Sequence, residues 1–262
     1  MRFVLRLALA GAFSLALCAA VRGQSEGADL QPFTATYALE WHGLTAGYAT
    51  LSLTKQGPDT YQYSSVNRAR GLFRLAFSHA LIERSTFRLA DGHLEPLAYQ
   101  EDNGDDPKNP NVTLEFDWKT MRVRGMVGIK SVDAPLEPGT LDALSVQVEL
   151  MRDLAAGHVP DSFLLFDKDH TTRFYYTREL ADELDTPLGR LDTVIYRSDR
   201  PGYDRVMRFW LAPRLGYLPA RAERRRKGKI EFELYIEKLL GRPNPPAPAS
   251  AAPNAASASS LR

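Results

Sequence analysis

The amino-acid sequence predicts a mainly β protein: a curved antiparallel sheet or open barrel with one central amphipathic helix packed on the concave face. Two observations lead to this prediction. Around a dozen segments alternate apolar and polar residues at roughly 8–12-residue spacing, which is typical of antiparallel sheets and barrels. A long helical pattern occurs at residues 136–157, and strands and helices do not alternate as they do in parallel α/β folds.

The N-terminal segment has the pattern of a signal peptide, which we assign to residues 1–23. Arg2 and Arg6 form its basic start, residues 7–20 form its apolar stretch, and small residues follow. The apolar stretch is short for a transmembrane helix, so we expect no membrane-spanning segment in the mature chain. The pattern predicts export to the periplasm. Cys18 is the only cysteine and would be removed with this segment, which excludes thiol catalysis.

Strand patterns fill the first half of the predicted domain. In the first of them, Phe33, Ala35 and Tyr37 alternate with polar residues or small alanine, which predicts one buried face. Asp91 and Gly92 predict a two-residue hairpin turn. Residues 71–78 are compatible with either a strand or a short helix. The predicted strands are residues 33–42, 48–55, 60–70, 79–89, 93–100, 112–118 and 121–127.

The helix at residues 136–157 organises this prediction. Thr140 or Asp142 can accept hydrogen bonds from free N–H groups at its start, and Gly157 can end it. At about 100° per residue, seven apolar side chains share one half of the helix surface. Asp142, Ser145, Glu149, Arg152 and Asp153 share the other, which we expect to be polar. Gln147 falls within the apolar half, where its amide either meets the sheet or lines a cavity.

Six further strand patterns follow the helix, and together the strands form one predicted domain at residues 24–240. The last, at residues 229–239, alternates most regularly. Residues 241–262 are rich in proline, alanine and serine with few large apolar side chains, so they predict a disordered tail. The other five predicted strands are residues 162–167, 171–178, 188–197, 205–212 and 215–225.

Four stretches carry a resemblance to a known family: YALEWHGLTAGYATLSL, LEPGTLDALSVQVELMRDL, DTPLGRLDTVIYR and FWLAPRLGYLPARAERRRKGKIEFEL. Together they resemble the bacterial envelope family known as domain of unknown function 3108, over residues 33–239. The resemblance implies a secreted, β-rich, mainly periplasmic domain without an assigned reaction, so it implies no catalytic residues. A curved sheet with a helix across it is also similar to periplasmic lipoprotein-carrier folds, which is an analogy of fold alone.

No catalytic or metal-binding motif stands out, and we expect neither a cofactor nor a metal. The five histidines lack the spacing of a zinc site. Asp167, Asp169 and His170 are the most ligand-like local group, but their sequence is typical of a turn. The formal net charge of +1 gives no basis for nucleic-acid binding. Carboxylates paired across a cleft could still hydrolyse a glycan, and the strand positions that could supply them are Glu40, Glu83, Glu115 and Asp117.

Two groups of residues are candidates for binding. Aromatic and helical side chains could line an apolar pocket under the helix, although most aromatics are expected in the core; the candidates are Gln147, Met151, Trp41, Trp118 and Trp210. A basic cluster at the turn of Lys227 and Gly228 could contact anionic headgroups or lipopolysaccharide phosphates, or simply be solvated. Its candidates are Arg224, Arg225, Arg226 and Lys227.

Three functional hypotheses follow. The leading one is a non-enzymatic periplasmic protein that binds a lipid-like or other envelope ligand in a concave site of the sheet and supports envelope integrity. The second is a cell-wall glycan hydrolase that uses carboxylates in a cleft. The third is a structural module that binds a protein partner through the basic hairpin or a sheet edge. The sequence leaves the oligomeric state open.

Overall fold

The computed structural model describes residues 30–104, 110–241 and 243 of the chain. The predicted signal peptide and nearly all of the predicted tail lie outside the described residues. The first half of the chain forms β1 (Phe33–Trp41), β2 (Leu44–Lys55), β3 (Thr60–Ala69), α1 (Phe73–Ala76), β4 (Leu81–Ala90), β5 (His93–Asp102), β6 (Val112–Asp117), β7 (Arg122–Val127) and β8 (Lys130–Pro135).

The second half begins with a short strand and contains the long helix. Its elements are β9 (Thr140–Leu141), α2 (Ser145–Ala155), β10 (Ser162–Asp167), β11 (His170–Thr186), β12 (Gly189–Asp199), β13 (Arg205–Ala212), a 3₁₀ turn (Pro213–Leu215), β14 (Leu218–Arg226) and β15 (Lys229–Gly241).

All fifteen strands of the described residues belong to one sheet, in the order β8-β7-β6-β5-β4-β3-β2-β1-β15-β14-β13-β12-β11-β10-β9. Strands that are adjacent in sequence pair antiparallel, apart from the parallel pair β9–β10 and from β8 and β9, which do not pair with each other. The first and last strands pair with each other, which leaves β8 and β9 at the two edges of an open sheet. The sheet curves enough for β9 to contact β5. The prediction of a mainly β fold with one large sheet is confirmed.

One face of the strands and the buried side of α2 form a continuous hydrophobic core. Phe33, Ala35 and Tyr37 of β1 are buried at alternate positions, as the sequence pattern predicts. From α2, Val148 and Leu154 pack into the same core. Since full burial of a side chain as large as leucine contributes roughly 1.5–3 kcal/mol, packing stabilises this eleven-residue helix more than its own backbone hydrogen bonds can.

The helix is shorter than the sequence predicts: α2 begins at Ser145 rather than within the first residues of 136–157. Thr140–Leu141 pairs with β10 instead, and this strand pairing holds the preceding backbone extended. Asp142 then starts the turn, because its Oδ1 accepts hydrogen bonds from the backbone N–H groups of Leu144 and Ser145 at 2.9 and 2.8 Å. The expected role of Asp142 at the helix start is therefore confirmed, while the helix length is corrected.

The predicted polar half of the helix is also largely buried. Asp142 and Ser145 have no exposed surface, and Glu149 is buried against Arg152, whose Nη1 lies 2.6 Å from the Glu149 carboxylate. The hydroxyl of Ser85 on β4 donates to Asp142 at 2.5 Å. Burial raises the pKa of both Asp142 and Glu149. Periodicity places these polar residues on one side of the helix but cannot show that β4 and the β4–β5 turn cover that side, as the contacts of Ser85 and Gly92 show.

The ambiguous residues 71–78 contain one helical turn, α1, within the connection between β3 and β4. On this connection Leu72, Leu75 and Phe77 are exposed, while Phe73 packs its ring against Trp41 at the end of β1, with ring centroids 5.9 Å apart. The connection therefore stays close to the β1–β2 turn and projects apolar side chains outward.

An ionic network lies on the face of β13, β14 and β15 that is opposite to the core. Its centre is Glu223, whose side chain is 1% exposed. Arg225 Nε donates to Glu223 Oε1 at 2.6 Å, and Arg221 Nη2 donates to Glu223 Oε2 at 3.2 Å. Arg208 Nη1 lies 3.5 Å from the same carboxylate. Three guanidinium groups thus share one buried carboxylate, although Arg208 also contacts Glu179 at 3.1 Å and Arg221 also contacts Glu233 at 2.5 Å.

Candidate functional site

A cavity of about 820 Å³ lies between α2 and the strands; we call it the inner cavity. Most of its lining side chains are apolar, and they come both from the helix and from strands on either side of it. Examples are Leu51, Met151, Phe166, Phe209 and Leu234. Its volume falls within the roughly 300–1,000 Å³ that small-molecule sites typically have.

A second cavity of about 710 Å³ adjoins the first, where the β1–β2 turn, the α1 connection and the β14–β15 hairpin meet; we call it the outer cavity. Trp41, Phe73 and Phe77 give it an aromatic wall. The two cavities share five lining residues, which we call the neck: Leu39, Asn67, Leu81, Arg224 and Phe232. The shared residues show that the two cavities are neighbours.

The outer cavity is electropositive. Of the described residues that line it, five are basic and one, Glu231, is acidic. Arg224 Nε lies 2.8 Å from the Glu231 carboxylate, but Arg226 and Lys229 form no ion pair within the described part of the chain. These two unpaired cations can attract an anionic group of a ligand, because no carboxylate of the described residues neutralises their charge. The basic lining residues are Arg68, Arg224, Arg226, Lys227 and Lys229.

The wall of the inner cavity also holds a pair of carboxyl groups. Glu83 and Glu101 are direct neighbours in the β4–β5 pairing. The Tyr99 hydroxyl lies 3.0 Å from Glu83 Oε1 and 3.4 Å from Glu101 Oε2, and Asn103 Nδ2 donates to Glu101 at 2.8 Å. Burial, and next the charge of Glu101, raise the pKa of Glu83 to about 7. A substantial fraction of Glu83 is therefore protonated at neutral pH, which removes the repulsion between two adjacent carboxylates.

The candidate ligand-binding residues occupy different places. Gln147 and Met151 line the inner cavity, and Gln147 Oε1 accepts a hydrogen bond from the Tyr63 hydroxyl at 3.4 Å. Trp41 lines the outer cavity. Trp118 and Trp210 lie outside both linings: the Trp118 indole donates to a backbone carbonyl of β5, and the Trp210 indole donates to a carboxylate of β11.

The basic cluster divides between the two faces of β14. Arg224 belongs to the neck, and Arg226 and Lys227 line the outer cavity. Arg225 points to the other face, where it binds Glu223, because successive side chains of a strand alternate in direction. The alternation was visible in the sequence, but which face encloses a cavity was not. Sequence reasoning did not single out Arg68, Phe73 and Phe77 for this site; they come from two other elements, and no local motif marks them.

The carboxylates considered for glycan hydrolysis do not gather at one place. Glu83 lines the inner cavity, whereas Glu115 is exposed on β6 and Asp117 accepts hydrogen bonds from the turn at Lys119 and Thr120. Within residues 30–104, 110–241 and 243, no group of three or more His, Cys, Asp or Glu residues is arranged to hold a metal ion. Asp169, from the ligand-like turn, binds Lys130 at 2.7 Å instead.

The fold and the site define a class of protein: one large open β sheet with a single long helix, and a mostly apolar cavity that helix and strands line beside a second cavity with basic side chains. Within the described residues, no helix has the length and apolar character needed to cross a membrane. The sequence matches the family described as Protein of unknown function (DUF3108) over residues 33–235. The chain belongs to the DUF3108 family, as its resemblance to that family predicts.

Solved structures provide a comparison at the level of the fold. A beta-barrel-like protein of domain of unknown function DUF1849 from Brucella abortus superimposes with a TM-score of 0.54 at 14% identity, over 80% of this chain and 97% of that chain. An exported protein with a YmcC-like fold from Bacteroides fragilis gives a TM-score of 0.32 at 13% identity, over 80% of this chain and 95% of that chain. No curated protein shows significant sequence similarity to the chain.

Proposed function

We propose that the protein binds an amphiphilic, lipid-like molecule, with the apolar chain of the ligand in the inner cavity and its polar end in the outer cavity. The observation that carries this proposal is the inner cavity itself: about 820 Å³ with a mostly apolar lining, adjoining an electropositive outer cavity. An apolar chain gains free energy on leaving water for such a lining, at roughly 25 cal/mol per Å² of surface buried. The role is non-enzymatic and needs no cofactor.

The helix has a defined part in this proposal. We place α2 on the concave side of the sheet, as one wall of the inner cavity opposite the strands. Leu150 and Met151 supply apolar contacts, and Gln147 supplies a polar atom beside Tyr63. Met151 suits a site that accommodates flexible chains, because its unbranched thioether adapts to different shapes.

The place of action that we propose is the periplasm, where the protein supports the integrity of the cell envelope. The support is the sequence of residues 1–23, with its basic start and apolar stretch. A compartment between two membranes is also where a protein that shields an apolar chain from water has an obvious use. Mass spectrometry of the N-terminus of the exported protein tests the signal peptide directly.

Asn67 offers a test of the cavity because it lies in the neck and is half-buried. Replacing Asn67 by tryptophan places a large ring between the two cavities, at the loss of one hydrogen bond to Ser65. We expect Asn67→Trp to weaken binding of a fluorescent long-chain fatty acid by at least about tenfold, since the ring and the chain compete for the same space. The assay is fluorescence titration with purified protein, together with mass spectrometry of lipids that copurify.

The matched control is Ser64→Trp, three residues earlier than Asn67 on β3. Its side chain lies on the opposite face of the strand from the inner-cavity residue Ser65. We expect this variant to bind the fatty acid as the original protein does. If the original protein neither copurifies with lipid nor takes up the fatty acid, the proposed function is wrong.

A further inference from the structure

The outer cavity is bordered by large apolar side chains that face solvent. On the α1 connection, Leu72 is 83% exposed, Leu75 86% and Phe77 66%; at the β1–β2 turn, Trp41 is 49% exposed and Leu44 61%. We call these five residues the docking rim. The contact between the rings of Trp41 and Phe73 holds the two segments next to each other. Exposed apolar side chains that are grouped in this way indicate an interaction surface, whereas single exposed apolar side chains are normal on any protein.

Cations border the same place. Arg226, Lys227 and Lys229 of the β14–β15 hairpin line the outer cavity together with Trp41 and Phe77. All three cations are exposed, and among the described residues the one carboxylate near Lys227 is that of Asp204, at 3.9 Å. Trp41 and Phe77 of the docking rim therefore border the same cavity as these cations, so a single partner can contact both apolar and basic side chains.

We propose that the docking rim binds the surface of a bilayer that contains anionic lipids. Leucine, phenylalanine and tryptophan side chains gain free energy in the boundary between headgroups and acyl chains, and neighbouring lysines and arginines gain free energy from anionic headgroups. An anionic bilayer matches both groups at once, because its headgroups attract the cations and the boundary with its acyl chains accepts the apolar side chains. The cations and the net positive lining of the outer cavity thus favour the bilayer.

Docking on a bilayer would bring the lipid ligand close to the cavities, and in this respect the inference rests on the proposed function. A bilayer held against the docking rim lies next to the outer cavity, and the neck residues of that cavity also line the inner cavity. A lipid can then move between bilayer and cavity with little exposure of its chain to water. The attachment itself needs only the rim and the cations, so it can be tested separately from ligand binding.

The test is co-sedimentation of the protein with vesicles of phosphatidylcholine, with and without phosphatidylglycerol. The protein is produced from its full-length sequence, and its mature N-terminus is determined by mass spectrometry. We expect binding to vesicles with phosphatidylglycerol, weaker binding without it, and release when salt is raised to about 0.5 M, which shortens the range of the charges. Replacing both leucines of the α1 connection, Leu72→Ser with Leu75→Ser, should reduce partitioning by about tenfold, since two interfacial leucine contacts are lost.

The matched control is Ile129→Ser with Leu180→Ser. These side chains are 100% and 86% exposed, so the pair removes a similar apolar surface from other parts of the molecule. We expect the control to bind vesicles as the original protein does, and both double variants to bind free fatty acid normally. Equal losses in both double variants, or no vesicle binding at all, would overturn the inference. Normal vesicle binding without fatty-acid uptake would instead contradict the proposed function and leave the docking intact.

Discussion

Replacing Glu223 by glutamine is expected to lower the free energy of unfolding by about 3 kcal/mol, the largest effect of a single substitution that we predict. Removing one partner of a buried ionic contact is strongly destabilising because the remaining charges lose their compensation. Here Arg225 loses its carboxylate partner at 2.6 Å. Arg208 and Arg221 also lie within 3.5 Å of Glu223 and lose part of their compensation, because each keeps a second partner, Glu179 and Glu233 respectively. Glutamine keeps the shape of the side chain, so the change reports charge rather than packing.

Urea denaturation followed by circular dichroism measures this effect, provided that the dependence of the unfolding free energy on urea stays the same in both proteins. Asp133→Asn is the matched control: it removes a carboxylate 2.6 Å from Arg122, but both side chains are largely exposed. Exposed ion pairs contribute little, so we expect a loss below about 1 kcal/mol. A similar loss in the two variants would show that burial of Glu223 has no special importance.

Replacing Glu83 by glutamine should raise stability at alkaline pH and change how stability depends on pH. Burial, together with Glu101, raises the pKa of Glu83 to about 7 in the folded protein, from an ordinary value of 4.5. Between these two values the folded protein binds a proton that the unfolded chain does not. The contribution of Glu83 to stability therefore falls as pH rises through this window, and the full penalty applies above about pH 7.

Glutamine cannot ionise, so the variant escapes this penalty. We expect Glu83→Gln to be more stable than the original protein by roughly 1–3 kcal/mol at pH 8, since each unit of pKa shift corresponds to about 1.4 kcal/mol. The difference should decrease toward pH 4.5. Burial also raises the pKa values of Glu149 and Asp153, but these groups are present in both proteins and cancel in the comparison.

Denaturation at a series of pH values measures the difference. Glu115→Gln, at an exposed position of β6, shows the effect of removing a carboxylate outside the cavity. Glu101→Gln provides a second check: it removes the neighbouring charge and should move the inflection of the pH profile to lower pH. A stability difference between Glu83→Gln and the original protein that does not vary between pH 4.5 and 8 would contradict the raised pKa. Because Glu83 lines the inner cavity, its ionisation near pH 7 would also make the cavity lining more polar as pH rises.

The sequence by itself determined the type of fold and most of its strands. Alternation such as that of Phe33, Ala35 and Tyr37 requires only that one face of a strand be buried, and that condition is local. The hairpin at Asp91 and Gly92 is local in the same sense: both residues have positive φ, as its tight turn requires. Family membership was also determined in this way, because the four stretches that carry the resemblance keep their order along the chain.

Tertiary structure decided where the helix begins, which polar groups are buried and which residues form the cavities. The pairing of Thr140–Leu141 with β10 depends on a strand that is more than 20 residues distant in sequence. The adjacency of Glu83 and Glu101 depends on the register of two strands, and the outer cavity depends on three turns that only the curved sheet brings together. Periodicity reports which side of an element is apolar, but only the packing of distant elements decides whether that side meets a core, a cavity or solvent.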